Sequence, residues 1–144
     1  MKTTLFLALA SSLVVSGCAM PQVSKEEAAA VNYGPKPLHW QETIRGYLGM
    51  RLTDPKSAIV EFRTEPKQLY QRQVALDPAQ HGWAVCVWVN DKNRQGAYDG
   101  FRPMTFFIRN EKVVWANNDP DHQSPLYDEY ARRQCAQLGA PFKS

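Results

Sequence analysis

The stretch that decides the fold is Trp83-Ala84-Val85-Cys86-Val87-Trp88-Val89, in which every residue is apolar. A strand with one face in water alternates apolar and polar side chains, so an unbroken apolar run predicts a strand covered on both faces. We expect helices on one face and a further layer or an oligomer contact on the other. Because side chains alternate along a strand, Cys86 shares its face with Ala84 and Trp88.

A hairpin is predicted after this strand. The apolar run 104–109 is followed by the return segment 112–115, and only Asn110 and Glu111 separate the two. Asn tolerates the positive φ that two-residue hairpin turns require, although Asn-Glu is a weaker turn signal than Asn-Gly.

Two further strands are predicted before the central one. Residues 58–63 alternate, with Ala58, Val60 and Phe62 on the apolar side. Residues 68–76 give a weaker strand pattern, and Asp77-Pro78 followed by Gly82 indicates a turn before the central strand.

A helix is predicted over residues 39–52, because its apolar residues form one stripe at helical spacing. The stripe consists of Trp40, Ile44, Tyr47, Leu48 and Leu52. Gly46 and Gly49 each weaken a helix by about 1 kcal/mol relative to Ala, so we expect a close packing partner beside them.

A second helix is predicted near the end of the chain, with Ser124 as N-cap, Pro125 at the first helical position and Gly139 at the end. Cys135 lies on its apolar stripe, which faces the sheet. Together the elements predict an α+β fold in one domain, residues 38–144, with an N-terminal helix, a small antiparallel sheet of three to five strands and a C-terminal helix.

The beginning of the chain predicts export. Lys2 and the apolar residues 5–15 have the charge and length of a secretory signal peptide, and the run is too short to span a bilayer. Val15-Ser16-Gly17-Cys18 resembles the lipobox of bacterial lipoproteins. The resemblance implies that residues 1–17 are removed and that Cys18 is fatty-acylated, for example with palmitate; a simple secreted protein or a retained signal anchor is the alternative.

The residues after Cys18 predict how the domain is held. Ala19 rather than Asp follows the cysteine, a pattern that in lipoproteins implies sorting to the outer membrane. We expect the domain to face the periplasm, and exposure on the cell surface is the alternative. Residues 18–37 predict a flexible lipidated tether, since Pro35 and Pro37 disfavour helix in the residues before them.

The two remaining cysteines predict a disulfide. With Cys18 assigned to the lipid, Cys86 and Cys135 form the natural pair in an oxidising compartment. Closing this loop would contribute about 4 kcal/mol in the chain-entropy model. Two separate buried thiols are the alternative.

Scattered residues along the domain also resemble a family of small bacterial envelope lipoproteins that has no assigned activity. The residues that carry the resemblance are Tyr33-Gly34-Pro35, Tyr47-Leu48, Leu52, Asp54-Pro55, Ser57-Ala58, Phe62, Gly82-Trp83, Val85-Cys86-Val87, Val89-Asn90, Lys92-Asn93, Gly96, Tyr98, Gly100, Pro103, Phe107-Ile108-Arg109-Asn110 and Val113-Val114. The resemblance implies an envelope location and an α+β domain. It implies no catalytic residue.

The loop 90–100 is the first candidate for function. Its polar composition predicts an exposed loop in which Lys92, Arg94 and Tyr98 could bind a partner. Its spacing also resembles a calcium loop, but Arg102 stands where a bidentate Glu is needed, so we predict no metal and no cofactor. The four tryptophans could line a sugar-binding surface, although core packing explains them more simply.

No catalytic constellation is present, and a formal net charge of +3 is too weak and scattered to predict nucleic-acid binding. We therefore expect an outer-membrane lipoprotein that acts as a non-enzymatic binding or structural module, with another envelope protein or peptidoglycan as its partner. The alternative is a peptidoglycan-acting enzyme that uses Asp99, Asp119 or Asp121. A metal at Asp119, Asp121 and His122 and a lysozyme inhibitor are less favoured.

Overall fold

The computed structural model describes residues 23–72 and 78–143. Its elements, in chain order, are α1 (Lys25–Ala30), α2 (Trp40–Gly49), β1 (Ile59–Phe62), β2 (Lys67–Gln71), β3 (Gln80–Asn90), β4 (Arg102–Arg109), β5 (Lys112–Asn117) and α3 (Pro125–Leu138). The signal segment, Cys18, Val74 and Leu76 lie outside the described residues. Within the described part, no helix has the length and apolar character needed to cross a bilayer.

Strand β3 is the centre of a five-stranded antiparallel sheet, as its apolar sequence predicts. Strand β4 pairs along one edge of β3 and carries β5 on its far side. On the other edge, β1 pairs with the second half of β3 and β2 with the first half. The predicted α+β fold is confirmed: α2 is the predicted N-terminal helix and α3 the C-terminal one, and the short helix α1 precedes them both.

Helix α2 covers one face of this sheet. Ile44 and Leu48 of α2 are buried against a core of strand residues. The strand residues of this core are Val85, Val87, Val89, Met104, Phe106, Ile108 and Ala116. The apolar sides of α2 and of β1 therefore face the core as their periodicity predicts.

Helix α3 covers the opposite face. Ala84, Cys86 and Phe107 of the sheet pack against Cys135 and Leu138 of the helix. Cys86 and Cys135 form the predicted disulfide, with their Cα atoms 5.1 Å apart. Both faces of β3 are thus covered, as its apolar sequence predicts, and the further layer on the second face is helix α3 of the same chain.

The predicted hairpin turn and the predicted ends of α3 are confirmed. Asn110 and Glu111 have φ of 49° and 58°, and they join β4 to β5 in a two-residue turn of positive φ. The Ser124 hydroxyl accepts a hydrogen bond from the Tyr127 amide at the start of α3, and Gly139 ends that helix with a φ of 98°.

Two glycine predictions are wrong. A Cβ at Gly46 or Gly49 would meet no atom of the described residues within 4 Å, so neither glycine of α2 has the expected close packing partner. Gly82 lies inside β3 rather than in a turn before it. A Cβ there would lie 2.9 Å from the Ile108 carbonyl oxygen, so this glycine permits a close approach of two strands.

The segment before α2 is packed against the sheet. The Trp83 indole donates a hydrogen bond to the Gly34 carbonyl at 3.1 Å, and the side chain of Tyr33 is buried. Helix α1 begins with a capping box between Ser24 and Glu27. The last residues of the predicted tether, 33–37, therefore lie against the domain.

Candidate functional site

The predicted binding loop, residues 90–100, is held by its own side chains and by the turn that follows α2. The Asn93 carbonyl oxygen accepts hydrogen bonds from the Gln95 and Ala97 amides at 2.9 and 3.1 Å. Its amide nitrogen donates to both carboxylate oxygens of Asp99. The loop is therefore built as an Asx-type turn, which fixes its conformation.

The three residues proposed to bind a partner differ in the contacts that their side chains make with the rest of the domain. Lys92 lies 3.6 Å from the Asp54 carboxylate and above the Tyr98 ring. The Tyr98 hydroxyl donates to the Ser57 carbonyl oxygen at 2.8 Å. Arg94 is exposed and has no ion pair with any described residue. Two of the three candidates thus have structural contacts, and Arg94 points to solvent.

A polar groove of about 370 Å³ lies between this loop and the end of α2. Its charged residues are mostly paired with one another. Arg102 pairs with Asp91 at 3.0 Å, and Arg51 pairs with Asp121 at 2.7 Å. Charges that neutralise each other in this way leave little net potential for a ligand of either sign.

The calcium-type spacing of this loop does not produce a ligand cluster. Arg102, at the position where a bidentate Glu is needed, forms its ion pair with Asp91, which is the first position of that pattern. Among residues 23–72 and 78–143, no group of three or more His, Cys, Asp or Glu side chains is placed to hold a metal ion.

Two of the three carboxylates of the enzymatic alternative lie in this polar groove, and the third is buried. Asp99 and Asp121 line the groove. Asp119 is fully buried; it accepts hydrogen bonds from the Tyr47 hydroxyl at 2.6 Å and from His122 Nδ1 at 2.7 Å. Burial and the bond to Asp119 raise the pKa of Tyr47 far above its ordinary value. Asp119 therefore positions two rings and has no exposed oxygen to offer a substrate.

A second groove, on the other side of the hairpin, has a different chemistry. Its first part is a pocket of about 270 Å³ lined by Pro78, Ala79, Gln80, His81, Arg109, Val114, Trp115, Tyr127 and Tyr130. Its second part is a more open depression of about 580 Å³ lined by Asn32, Gly34, His81, Arg109, Asn110, Lys112 and Val114. Because the two parts share His81, Arg109 and Val114, we treat them as one feature and call it the Arg109 groove.

One wall of the Arg109 groove is aromatic. The Trp115 ring lies 5.0 Å from that of His122, which lies 5.3 Å from Tyr127, and Tyr127 lies 6.0 Å from Tyr130. His122 is held behind this wall by Asp119. The buried carboxylate therefore orients the aromatic wall through an imidazole, although it lies outside the groove itself.

The centre of the groove is a guanidinium beside an imidazole. Arg109 Nη1 lies 2.8 Å from His81 Nε2. Burial, followed by the charge of Arg109, lowers the pKa of His81. At neutral pH His81 is therefore uncharged, and its Nε2 accepts the hydrogen bond from Arg109.

Sequence reasoning did not find this groove. Its residues come from the start of β3, the end of β4, the edge strand β5 and the first turns of α3. His81 carries no motif spacing, so nothing in the sequence distinguishes it. The one available signal was the set of tryptophans. Three of them, Trp40, Trp88 and Trp115, pack partly buried against the core, and Trp115 also lines the groove.

The chain matches no protein-family model, and no curated protein or solved structure is significantly similar to it.

Proposed function

We propose that this chain is a lipid-anchored protein of the bacterial outer membrane, with its domain in the periplasm. The signal-like residues 1–17 and Cys18 support export and acylation. The disulfide between Cys86 and Cys135 supports the same location, because such bonds persist in oxidising compartments and are rare in the cytosol.

We further propose that the domain is a non-enzymatic binding module and that its ligand, a component of the cell envelope, occupies the Arg109 groove. The observation that carries this proposal is the pairing of an aromatic wall with the Arg109 side chain in one concave surface. Concave sites that combine apolar walls with a few placed polar groups are the usual form of a ligand site. The polar groove beside loop 90–100 is a weaker candidate, since its charges are paired internally.

The anchor is tested by replacing Cys18 with Ser. We expect the wild-type protein to incorporate labelled fatty acid and to sediment with outer membranes, and the Cys18→Ser protein to do neither. Acylation-independent sedimentation with the outer membrane would contradict the anchor.

Binding is tested by retention of the purified protein on isolated sacculi and on outer-membrane vesicles. The blocking variant is Val114→Glu, which adds bulk at a side chain that is 39 % exposed and lines both parts of the groove. The matched control is Arg94→Gln in the other groove. We expect wild type and Arg94→Gln to be retained by at least one fraction and Val114→Glu to be lost.

Equal retention of Val114→Glu and wild type would reject the Arg109 groove as the site. If only Arg94→Gln is no longer retained, the binding site is loop 90–100, as the sequence predicts. Soluble glycan fragments released by wild type but not by Asp121→Asn would favour the enzymatic alternative.

A further inference from the structure

The charge of the Arg109 groove distinguishes its ligand from that of the polar groove. Among its described lining residues there are two cations, Arg109 and Lys112, and no carboxylate. The polar groove, in contrast, is lined by Asp91, Asp99 and Asp121 as well as by cations. Charge complementarity therefore favours an anion in the Arg109 groove and does not favour one in the polar groove.

Arg109 in particular lacks an anionic partner. Its hydrogen bond goes to the neutral His81 ring, and it forms no ion pair with any described carboxylate. Its Nε atom is buried and has no hydrogen-bond acceptor among the described residues. A guanidinium partly removed from water is costly unless its donors are satisfied, and its planar fork fits two oxygens of a single carboxylate.

The surroundings of Arg109 fit a sugar. On one side lie the rings of Trp115 and Tyr127, which offer apolar surfaces against which the C–H groups of a sugar ring can pack. On the other side the side-chain amides of Asn32 and Asn110 line the open part of the groove. Amides both donate and accept hydrogen bonds, so they match hydroxyl and acetamido groups.

Building on the proposed function, we infer that the Arg109 groove binds a glycan that carries carboxylate groups. A sugar ring lies against Trp115 and Tyr127, its carboxylate pairs with Arg109, and the next sugar extends over the open part of the groove toward Lys112. This arrangement uses both parts of the groove and places the anion where they meet.

The test compares two ligands that differ only in charge. The first is a soluble amino-sugar glycan with free lactyl carboxylates, prepared from sacculi by removing the peptides; the second is the same glycan after its carboxylates are converted to amides. Binding to the purified protein is measured by titration calorimetry. We expect the amide form to bind wild type at least about tenfold more weakly, the loss typical of one charge-assisted hydrogen bond.

Variants at Arg109 separate this inference from a general loss of structure. Arg109→Gln should bind the carboxylate and the amide glycan equally, whereas Arg109→Lys should retain part of the preference and Arg94→Gln all of it. Thermal unfolding of each variant confirms that it is folded. Equal binding of the two glycans by wild type, or an unchanged preference in Arg109→Gln, would overturn the inference.

The proposed function and this inference can fail separately. If the protein is retained by an envelope fraction through the groove but binds neither glycan, the binding module stands and the glycan inference is wrong. If it instead binds vesicles of anionic phospholipid and Arg109→Gln abolishes that binding, the anion is a lipid phosphate, and the glycan inference is again overturned.

Discussion

Glu111 binds the backbone just before helix α2: its Oε1 atom accepts a hydrogen bond from the Leu38 amide at 2.6 Å, across 73 residues of sequence. The Oε2 atom accepts from the His39 amide at 3.2 Å. His39, at the N-cap position, makes no side-chain cap bond of its own. A residue of the hairpin turn thus holds the backbone immediately before the first turn of α2 and joins this helix to the sheet.

Replacing Glu111 with Ala should therefore destabilise the protein by about 1 kcal/mol, the usual net contribution of a hydrogen bond. Glu111→Gln should cost less, because its amide oxygen still accepts one bond. Both variants keep a Cβ at a φ of 58°, so the strain of the turn is unchanged. Urea unfolding measures the difference, and an Ala variant as stable as wild type would show that these hydrogen bonds contribute nothing.

Substitution of Gly46 should stabilise the protein rather than destabilise it. A Cβ at this position of α2 meets nothing within 4 Å, so Gly46→Ala should stabilise the protein by up to about 1 kcal/mol through helix propensity. The matched control is Gly82→Ala, whose Cβ would lie 2.9 Å from a backbone oxygen and which should be destabilised. A loss of stability in Gly46→Ala would mean that a partner packs closely on this face of α2.

The disulfide should account for much of the stability of the domain. Cys86 and Cys135 are fully buried and close a loop of 49 residues, so the double variant Cys86→Ala, Cys135→Ala should lose about 4 kcal/mol in the chain-entropy model. Reduction of the wild type should give a similar loss. If reduced and oxidised wild type unfold at the same urea concentration, the bond does not stabilise the fold.

These results show which features the sequence could predict. Gly139, Pro125 and Asn110 act through the conformation of their own backbone, so their signals are local and were interpreted correctly. The apolar stripe of α2 is also a local signal, because it depends only on the helical spacing of neighbouring residues. Gly82 was misjudged because a glycine that permits close strand approach has the same sequence signal as one in a turn.

The Arg109 groove could not be predicted, because it exists only after distant segments pack together. His81 and Arg109 are 28 residues apart, and no spacing rule connects them. The burial of Asp119 could not be predicted either, and for the same reason. Its segment is polar in composition, yet Asn117, Asn118 and Asp119 are buried because other elements supply their hydrogen-bond partners.

The hydrogen bond between Tyr47 and Asp119 should contribute more to the stability of the domain than an exposed hydrogen bond does. Tyr47→Phe leaves an oxygen of a fully buried carboxylate without its donor, so we expect a loss of about 1–3 kcal/mol in urea unfolding. Tyr98→Phe is the control, because its hydroxyl donates at an exposed site and should cost much less. The coupling is measured with a double-mutant cycle. If Tyr47→Phe lowers the stability of the Asp119→Asn variant as much as it lowers that of wild type, the two groups are not coupled.

His81 should report the state of Arg109. Burial and then the charge of Arg109 lower the pKa of His81, so the folded protein favours the neutral ring. The folded state then binds fewer protons at this site than the unfolded state. The stability that this residue contributes is fully present above the unfolded pKa of about 6.5 and is lost as pH falls below it through the lowered folded value.

Arg109→Gln should raise the pKa of His81 back toward its ordinary value, because the substitution removes the repelling charge 2.8 Å away and leaves burial as the remaining cause. Titration of the imidazole by NMR measures this directly. Arg94→Gln removes the same charge from the other groove and should leave the His81 titration unchanged. A bound anionic ligand should also raise the pKa of His81 in wild type, since it offsets the charge of Arg109. An unchanged titration in Arg109→Gln would mean that Arg109 does not act on His81.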